Sequence, residues 1–317
     1  MIKSSRFFFK MVRPLNLILI TLTLFFVRYF ILLPHFNKIS EPFTLSLPQF
    51  ILLIASTLSI AAFGYIWNDY NDTVIDAINK PNNESIRIYF EGNSVYYLLA
   101  SLALFSLLIG LYLCSLVGNY KCLLLQIIPI GLLWFYATHY KKQFLIGNII
   151  IASLSVLMLL LPAFYDAKMF PPYYDYEMPV VALLIKLLFC YSIFVFLVSL
   201  MREVIKDVED LEGDKIGGCS TLPIVWHAHK MKNYFYFLSI TYLLFVIVVG
   251  YVAFPFFKLD QYVSIAFLIL LPTIYVLYSV VVAANKVDYT SISTLIKLQM
   301  LAGIITMFFI RNIHAYK

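Results

Sequence analysis

The sequence predicts an all-α fold, a polytopic membrane bundle of nine transmembrane helices around a central cavity, and three observations lead to it. The first is composition: 62% of the 317 residues are apolar, 13% are charged and the mean hydropathy is +0.88, which excludes an ordinary soluble domain. The second is run length. A helix needs about 20 mostly apolar residues to cross a bilayer, and nine such runs stand near 14–34, 48–67, 94–117, 121–138, 144–165, 179–200, 232–254, 261–283 and 290–310. The third is periodicity: the runs are continuously apolar instead of alternating, so they are not the strands of a membrane barrel. The chain, 1–317, reads as one membrane-embedded domain.

Residues 1–13 are basic and interfacial, and Arg13 to Asn16 (RPLN) opens the first span. Proline costs nothing in a helix's first turn, where its missing N–H would be unpaired anyway. Arg13 reads as a topology anchor, and Arg28 inside the span as a residue that snorkels or pairs. The second span passes directly into NDYNDTVIDAINKP, Asn68 to Pro81. Spans three and four read as packing, and the fourth leaves through Tyr136, Lys141 and Lys142. Gly147 and Asn148, opening the fifth, read as a point of close helix approach. The sixth span passes into REVIKDVEDLEGDKIGG, Arg202 to Gly218. The last three spans carry almost no charge except Lys297 and read as scaffold and lipid-facing surface.

The cations give an orientation. Nine spans put the N-terminus and the loops after spans 2, 4, 6 and 8 on one side, and that side holds 14 of the 23 Lys and Arg, against 6 on the other and 3 within spans. The positive-inside tendency makes it cytoplasmic. The chain is therefore expected in the cell (inner) membrane, multi-pass, with its N-terminus and both acidic stretches facing the cytoplasm. The net charge of +6 is dispersed among spans with no basic stripe or tail, so the partner it implies is the lipid bilayer and no nucleic acid. The four cysteines form no CxxC pair and indicate neither a metal site nor a disulfide framework.

The two acidic stretches carry the chemistry. A helix advances about 100° per residue, so Asp69, Asp72 and Asp76, at i, i+3 and i+7, share a face. Asp207, Asp210 and Asp214 repeat the spacing, with Glu203 one turn before them. Spans 3 to 6 make an even number of crossings, which returns both stripes to one side, across one cavity. Six converging carboxylates repel unless divalent cations neutralise them. Mg²⁺, a hard ion that completes its shell with phosphate oxygens, is the natural cofactor, and a di- or triphosphate the implied ligand. Lys80 and Lys141 would share the remaining negative charge. Beside a membrane cavity the economical substrate is a lipid diphosphate, from which departure of diphosphate leaves an allylic carbocation that aromatic faces stabilise.

These residues also carry a resemblance. NDYNDTVID with its trailing NKP, and DVEDLEGD after span 6, resemble the paired motifs of the UbiA family of intramembrane prenyltransferases. REVIKDVEDLEGDK followed by TLP, and Tyr136 and Lys141 followed by Gly147 and Asn148, are similar to its geranylgeranylglycerol-phosphate geranylgeranyltransferase branch. The resemblance implies a UbiA-like bundle and Mg²⁺-dependent transfer of a prenyl group from a prenyl diphosphate to a lipophilic acceptor, a prenylglycerol phosphate hydroxyl. It makes Asn68, Asp72, Asp207 and Asp210 the chief Mg²⁺-diphosphate ligands, with Asp69, Asp76 and Asp214 supporting, and gives Asp72, Asp207 and Asp210 the catalytic role. Asn16, Lys80, Tyr136 and Lys141 become diphosphate or headgroup contacts. The chain departs from the family after NKP: it reads NNESIRIYF where many relatives have an Arg-Pro turn, and Arg87 is the cation in position to substitute. Transfer to an aromatic ring is the alternative within this chemistry, since branches differing in acceptor share the aspartates. A divalent-cation transporter would need acids near midplane on discontinuous helices, and these cluster at span ends.

Overall fold

The structure, a computed structural model, describes residues 11–38, 43–79, 85–90, 92–166, 169, 179–253 and 258–311, with the backbone alone for 38, 179–181, 227–229 and 253. Among these residues nine helices are long and apolar enough to cross a membrane, and each coincides with a predicted run. The chain is a multi-pass membrane protein. Span 1 is α1 (Pro14–Phe26), continued through a π turn at Val27–Leu32 into Leu33–Lys38. Span 2 is α2 (Leu47–Asn71), followed by the short α3 (Thr73–Asn79). Spans 3 to 5 are α4 (Ser94–Val117), α5 (Leu124–Thr138) and α6 (Ile146–Phe164). Span 6 lies in α7 (Pro179–Glu209), followed by the short α8 (Leu211–Ile216). Spans 7 to 9 lie in α9 (Leu222–Ala253), α10 (Leu259–Val282) and α11 (Lys286–Ile310).

Local chemistry sets the ends. The Gln49 side chain accepts from the Ser46 N–H at 2.7 Å and fixes the start of α2. At α11, Asn285 and Asp288 exchange the two bonds of a capping box, each 3.1 Å. Gly118 closes α4 at φ 73°, a left-handed conformation that glycine adopts without strain. Spans 2 and 6 outlast their apolar runs and carry Asp69 and Asp207, respectively, out of the apolar layer on the same helix that crosses it.

Spans 2, 3 and 4 pack around Phe63, Ile66, Val95, Leu99 and Ala137, and spans 6 to 9 around Val204, Ile205, Phe235, Val276 and Ile296. Span 1 lies against spans 2, 5 and 9 and so joins the two groups. Two buried polar sets tie helices together at membrane depth. Gln126 donates to the Tyr165 hydroxyl at 3.0 Å and accepts from Ser56 and Ser106, both at 3.2 Å. Arg28 pairs, the second of its two expected fates: it donates to the Leu45 carbonyl at 2.5 Å beneath the rings of Phe43 and Phe50.

The Gln126 set requires Gly110, where a Cβ would stand 2.6 Å from Gln126 Cγ. Gly110→Ala should therefore cost about 1–3 kcal/mol by overpacking and lower the thermal midpoint in detergent. At Gly131, with nothing within 4 Å of a Cβ, the same change should be neutral or stabilising.

Candidate functional site

Both acidic stretches break their helix at the same place. α2 ends before Asp72, which has φ −87° and ψ 11°, and α7 ends before Asp210, at φ −93° and ψ 5°. Each lies in the sparsely populated bridge region between helix and extended backbone. The expected stripes on unbroken helices are thus corrected to two bent ones. The helical bonds persist across each bend: Asp72 N donates to Asn68 O (2.9 Å) and Asp76 N to Asp72 O (2.7 Å), while Asp210 N donates to Lys206 O (2.9 Å) and Asp214 N to Asp210 O (3.0 Å). Pitch is retained while direction changes.

One side chain joins the two bent segments. Asn79, the last residue of α3, donates from Nδ2 to the Asp210 carbonyl at 3.0 Å and accepts at Oδ1 from Gly213 N–H at 3.1 Å. Gly213 must be glycine here, since a Cβ would stand 2.7 Å from Asn79 Cγ and 2.8 Å from the Ile75 carbonyl oxygen. Lys286, at the start of α11, donates to the Asn79 carbonyl at 2.9 Å and brings span 9 to the same junction.

Cations and amides then meet the acids. Lys141, on the turn Tyr140–Lys142, forms an ion pair with Asp72, which also accepts from Asn68 Nδ2 at 2.6 Å. Burial alone would lower the Lys141 pKa, but the charge of Asp72 raises it overall. The turn is held by Leu145 in a left-handed conformation (φ 58°), by Gly147, whose absent Cβ leaves room for the Lys141 backbone, and by Ser220 N–H donating to the Lys142 carbonyl at 2.7 Å. Asn148 donates to Asp207 at 2.8 Å. Arg13, left-handed at φ 52°, bonds Asp69 at 2.6 Å and lies over the Tyr65 ring. Its pKa is raised: burial opposes, and Asp69 and Tyr65 outweigh it. Burial lifts the Asp214 carboxyl to about 6 against the pull of Lys141. Asp214 Oδ1 and Asn68 Oδ1 are buried without hydrogen-bond partners.

Beside these groups a cavity of about 310 Å³ opens into the bundle. Arg13, Asn16, Asn68, Tyr136, Arg202, Glu203 and Lys206 stand at its polar end, and Leu19, Ile60, Leu133, Leu154 and Met158 line its apolar walls. It extends to Tyr191 and Thr306, whose hydroxyls are 2.9 Å apart. Tyr191 precedes Asp207 by 16 residues, ~24 Å of helix. Among the described residues, the motif aspartates flank the cavity without lining it, and no three acidic, His or Cys side chains stand close enough to enclose an ion.

Of the predicted site residues, the structure gathers Asn16, Asn68, Asp69, Asp72, Tyr136, Lys141, Asp207, Asp210 and Asp214. Asp76 is half-buried on α3. Arg87 is exposed, 5.1 Å over the Tyr70 ring, with no ion pair to the aspartates. Lys80 lies outside the described residues. Three expectations are corrected. Arg13 is a site residue and more than a topology anchor. Asn148 holds Asp207 in addition to the close packing at Gly147. Lys297 lines the cavity instead of facing lipid. Asn79 carried no signal beyond ending a helix, whereas Lys297, a charge inside a span, did.

A polar end crowded with carboxylates, amides and cations, set over an apolar shaft, defines a membrane-embedded enzyme working at the charged end of a lipid-like substrate. The chain belongs to the UbiA prenyltransferase family, which it matches over residues 38–301. It is similar to the digeranylgeranylglyceryl phosphate synthase of Sulfurisphaera tokodaii, 32% identical over 222 residues, covering 69% of this chain and 72% of that one. The same enzyme of Saccharolobus solfataricus is 28% identical over 256 residues, 80% of this chain and 82% of that one. With that of Thermococcus sibiricus the match is 34% over 165 residues, about half of each chain. A solved structure of digeranylgeranylglyceryl phosphate synthase superposes with a TM-score of 0.62 at 24% identity, covering 96% of this chain and 99% of that one. A UbiA homologue from Archaeoglobus fulgidus bound to GPP and Mg²⁺ gives 0.60 at 15% identity, covering 95% and 99%. These structures share the fold.

Asn79→Ala would strip the junction of a donor and an acceptor together. A loss of about 1–3 kcal/mol is expected, read as a lower thermal midpoint, with prenyl transfer falling further than stability because the two acidic segments lose their register. Gly213→Val should reproduce both effects by displacing Asn79.

Proposed function

We propose that the chain transfers a prenyl group from a prenyl diphosphate to the hydroxyl of a prenylglycerol phosphate. The observation that carries this reading is the junction at Asn79, which sets two carboxylate-bearing bends side by side at the polar end of an apolar shaft. The donor set suits Mg²⁺: hard oxygens, two of them buried without partners, at Asp214 and Asn68. Asn68, Asp72, Asp207 and Asp210 would hold the ion by closing on it from their present separation, with Asp69, Asp76 and Asp214 in support. When bound, Mg²⁺ neutralises charge on the diphosphate and makes it a better leaving group.

The chain's own groups do the rest. Lys141, Tyr136 and Asn16 stand where the diphosphate would lie, and Lys141 is positioned by its turn to pass from Asp72 to a phosphate oxygen. The shaft takes the prenyl tail and excludes water. The bond from the first prenyl carbon to the diphosphate oxygen breaks, its electron pair leaves with diphosphate, and the acceptor hydroxyl oxygen attacks the allylic cation. Glu203, a carboxylate on the cavity wall, is placed to take the proton released. Arg87, exposed over Tyr70, is left out of this set. The sequence relatives named above support the phosphate-bearing acceptor over an aromatic ring, as does the cationic wall of the cavity, since a ring acceptor asks for an apolar slot. The excess of cations on the motif side supports a cell-membrane protein with this site facing the cytoplasm.

Membranes containing the protein, given Mg²⁺, prenyl diphosphates of several lengths and a panel of acceptors, should yield a prenyl ether of prenylglycerol phosphate, identified by mass. Asp72→Asn and Asp210→Asn should each lower the rate at least ~10²-fold. Full activity in both variants, or absence of product with every acceptor, would overturn the reading.

A further inference from the structure

We propose that Lys297, with Arg202 and Lys206, forms a second anion site on the wall made by spans 6 and 9, and that it holds the phosphate of the acceptor lipid. The proposal rests on the prenyl-transfer reading above and assigns residues to the half of the reaction that the aspartates leave unexplained.

Register places these cations together. Thr290 on α11 donates to Glu209 on α7 at 3.0 Å and fixes the level of the two packed, antiparallel helices. Arg202 lies seven residues inward from Glu209, and Lys297 seven inward from Thr290. Both are two turns, ~10.5 Å, below that contact. Lys206 lies one turn above Arg202, and all three line the cavity.

Charge supplies the second step. Four cations line the cavity, Arg13, Arg202, Lys206 and Lys297, and among the described residues Glu203 is the one acid that does. Arg13 is matched by Asp69 and Arg202 by Glu203. Among the described residues neither Lys206 nor Lys297 makes a direct ion pair, although Lys206 lies in the field of Glu203 and Asp207, and Lys297 in that of Glu209. An ammonium without an ion pair at the depth of Lys297 is costly and marks a ligand. Snorkelling does not account for Lys297, which stands 11 residues from one end of α11 and 13 from the other, beyond the reach of its side chain to either surface. In the reading above the diphosphate has its own partners beside the cavity, in Lys141 and the acids that would hold the ion. The unmatched lysines therefore call for a second anion beside the first prenyl carbon, and the acceptor's phosphate is the anion the reaction brings there.

The test compares a prenylglycerol phosphate with the same prenylglycerol lacking phosphate, in the full-length protein with Mg²⁺. Lys297→Met and Lys206→Met together should raise the KM for the phosphorylated acceptor about tenfold or more, leave the KM for prenyl diphosphate within about twofold, and erase the preference for the phosphorylated acceptor. Lys297→Arg should retain it, and Lys186→Met, at an exposed lysine in span 6, should change nothing. A parallel rise in both KM values, or an unchanged acceptor KM, overturns the proposal while leaving prenyl transfer standing. If the wild type makes no product, binding of a non-reactive alkylglycerol phosphate without Mg²⁺ still decides: loss of that binding in the double variant supports the site, and equal binding refutes it.

Discussion

The site depends on a carboxamide. Asn79 satisfies one carbonyl and one N–H of the opposite segment, and in doing so brings the C-terminal end of α3 against the start of α8. Two such bonds are worth only about 1 kcal/mol each, yet they tie one acidic bend directly to the backbone of the other. The contact is possible because Gly213 and Gly217 leave their side of α8 bare, so that Asn79 and Ile75 lie against backbone. A side chain at either position would push the carboxylates apart. Lys286 adds the start of span 9, so elements 131 and 207 residues distant from Asn79 converge on it.

Once gathered, the acids pose an electrostatic problem that the protein answers with positioned cations. Lys141 is delivered to Asp72 by a turn that tolerates a left-handed leucine and a missing Cβ at Gly147. Arg13 reaches Asp69 from a left-handed conformation of its own. Non-glycine residues in that conformation cost of order 1–3 kcal/mol each and persist where surrounding structure holds them; here both hold a cation against an aspartate. Asp214, with no such partner, is left with its carboxyl lifted to about 6, so it still carries a proton part of the time near neutral pH.

The legible parts of the molecule were those written in consecutive residues. Nine apolar runs gave nine spans, and the repeat of Asp at i, i+3 and i+7 marked the two segments that meet at the candidate site, because hydropathy and helical pitch are local properties. The bends at Asp72 and Asp210 were hidden, since a bridge-region residue between two helical turns leaves no trace in spacing. Asn79 and Asn148 were hidden because their partners lie 131 and 59 residues away, and a lone asparagine at a helix end already has a local reason to be there. Arg13 was misread for the same reason: a cation before a first span satisfies topology. Lys297 is different, because its charge inside an apolar run was a signal in itself, and assigning its helix to scaffold set that signal aside.

The shaft completes the chemistry through what its polar side chains do not offer. A prenyl cation reacts with whatever electron pair is nearest, so any ordered water along the wall would compete with the acceptor. Thr23, Thr57 and Ser155 all line the cavity, and each donates its hydroxyl hydrogen to a carbonyl four residues back on its own helix, at 2.8, 2.8 and 2.9 Å. Such back-bonding removes the donor that would otherwise recruit water. At the far end, the Tyr191 and Thr306 hydroxyls bond each other at 2.9 Å. Asn68, Glu203 and Lys206 stand at the mouth, while Lys297 and Gln299, whose Oε1 is buried without a partner, keep polarity on the wall made by span 9. With the Thr23, Thr57 and Ser155 hydroxyls turned back onto their own helices, fewer waters compete with the acceptor along the shaft.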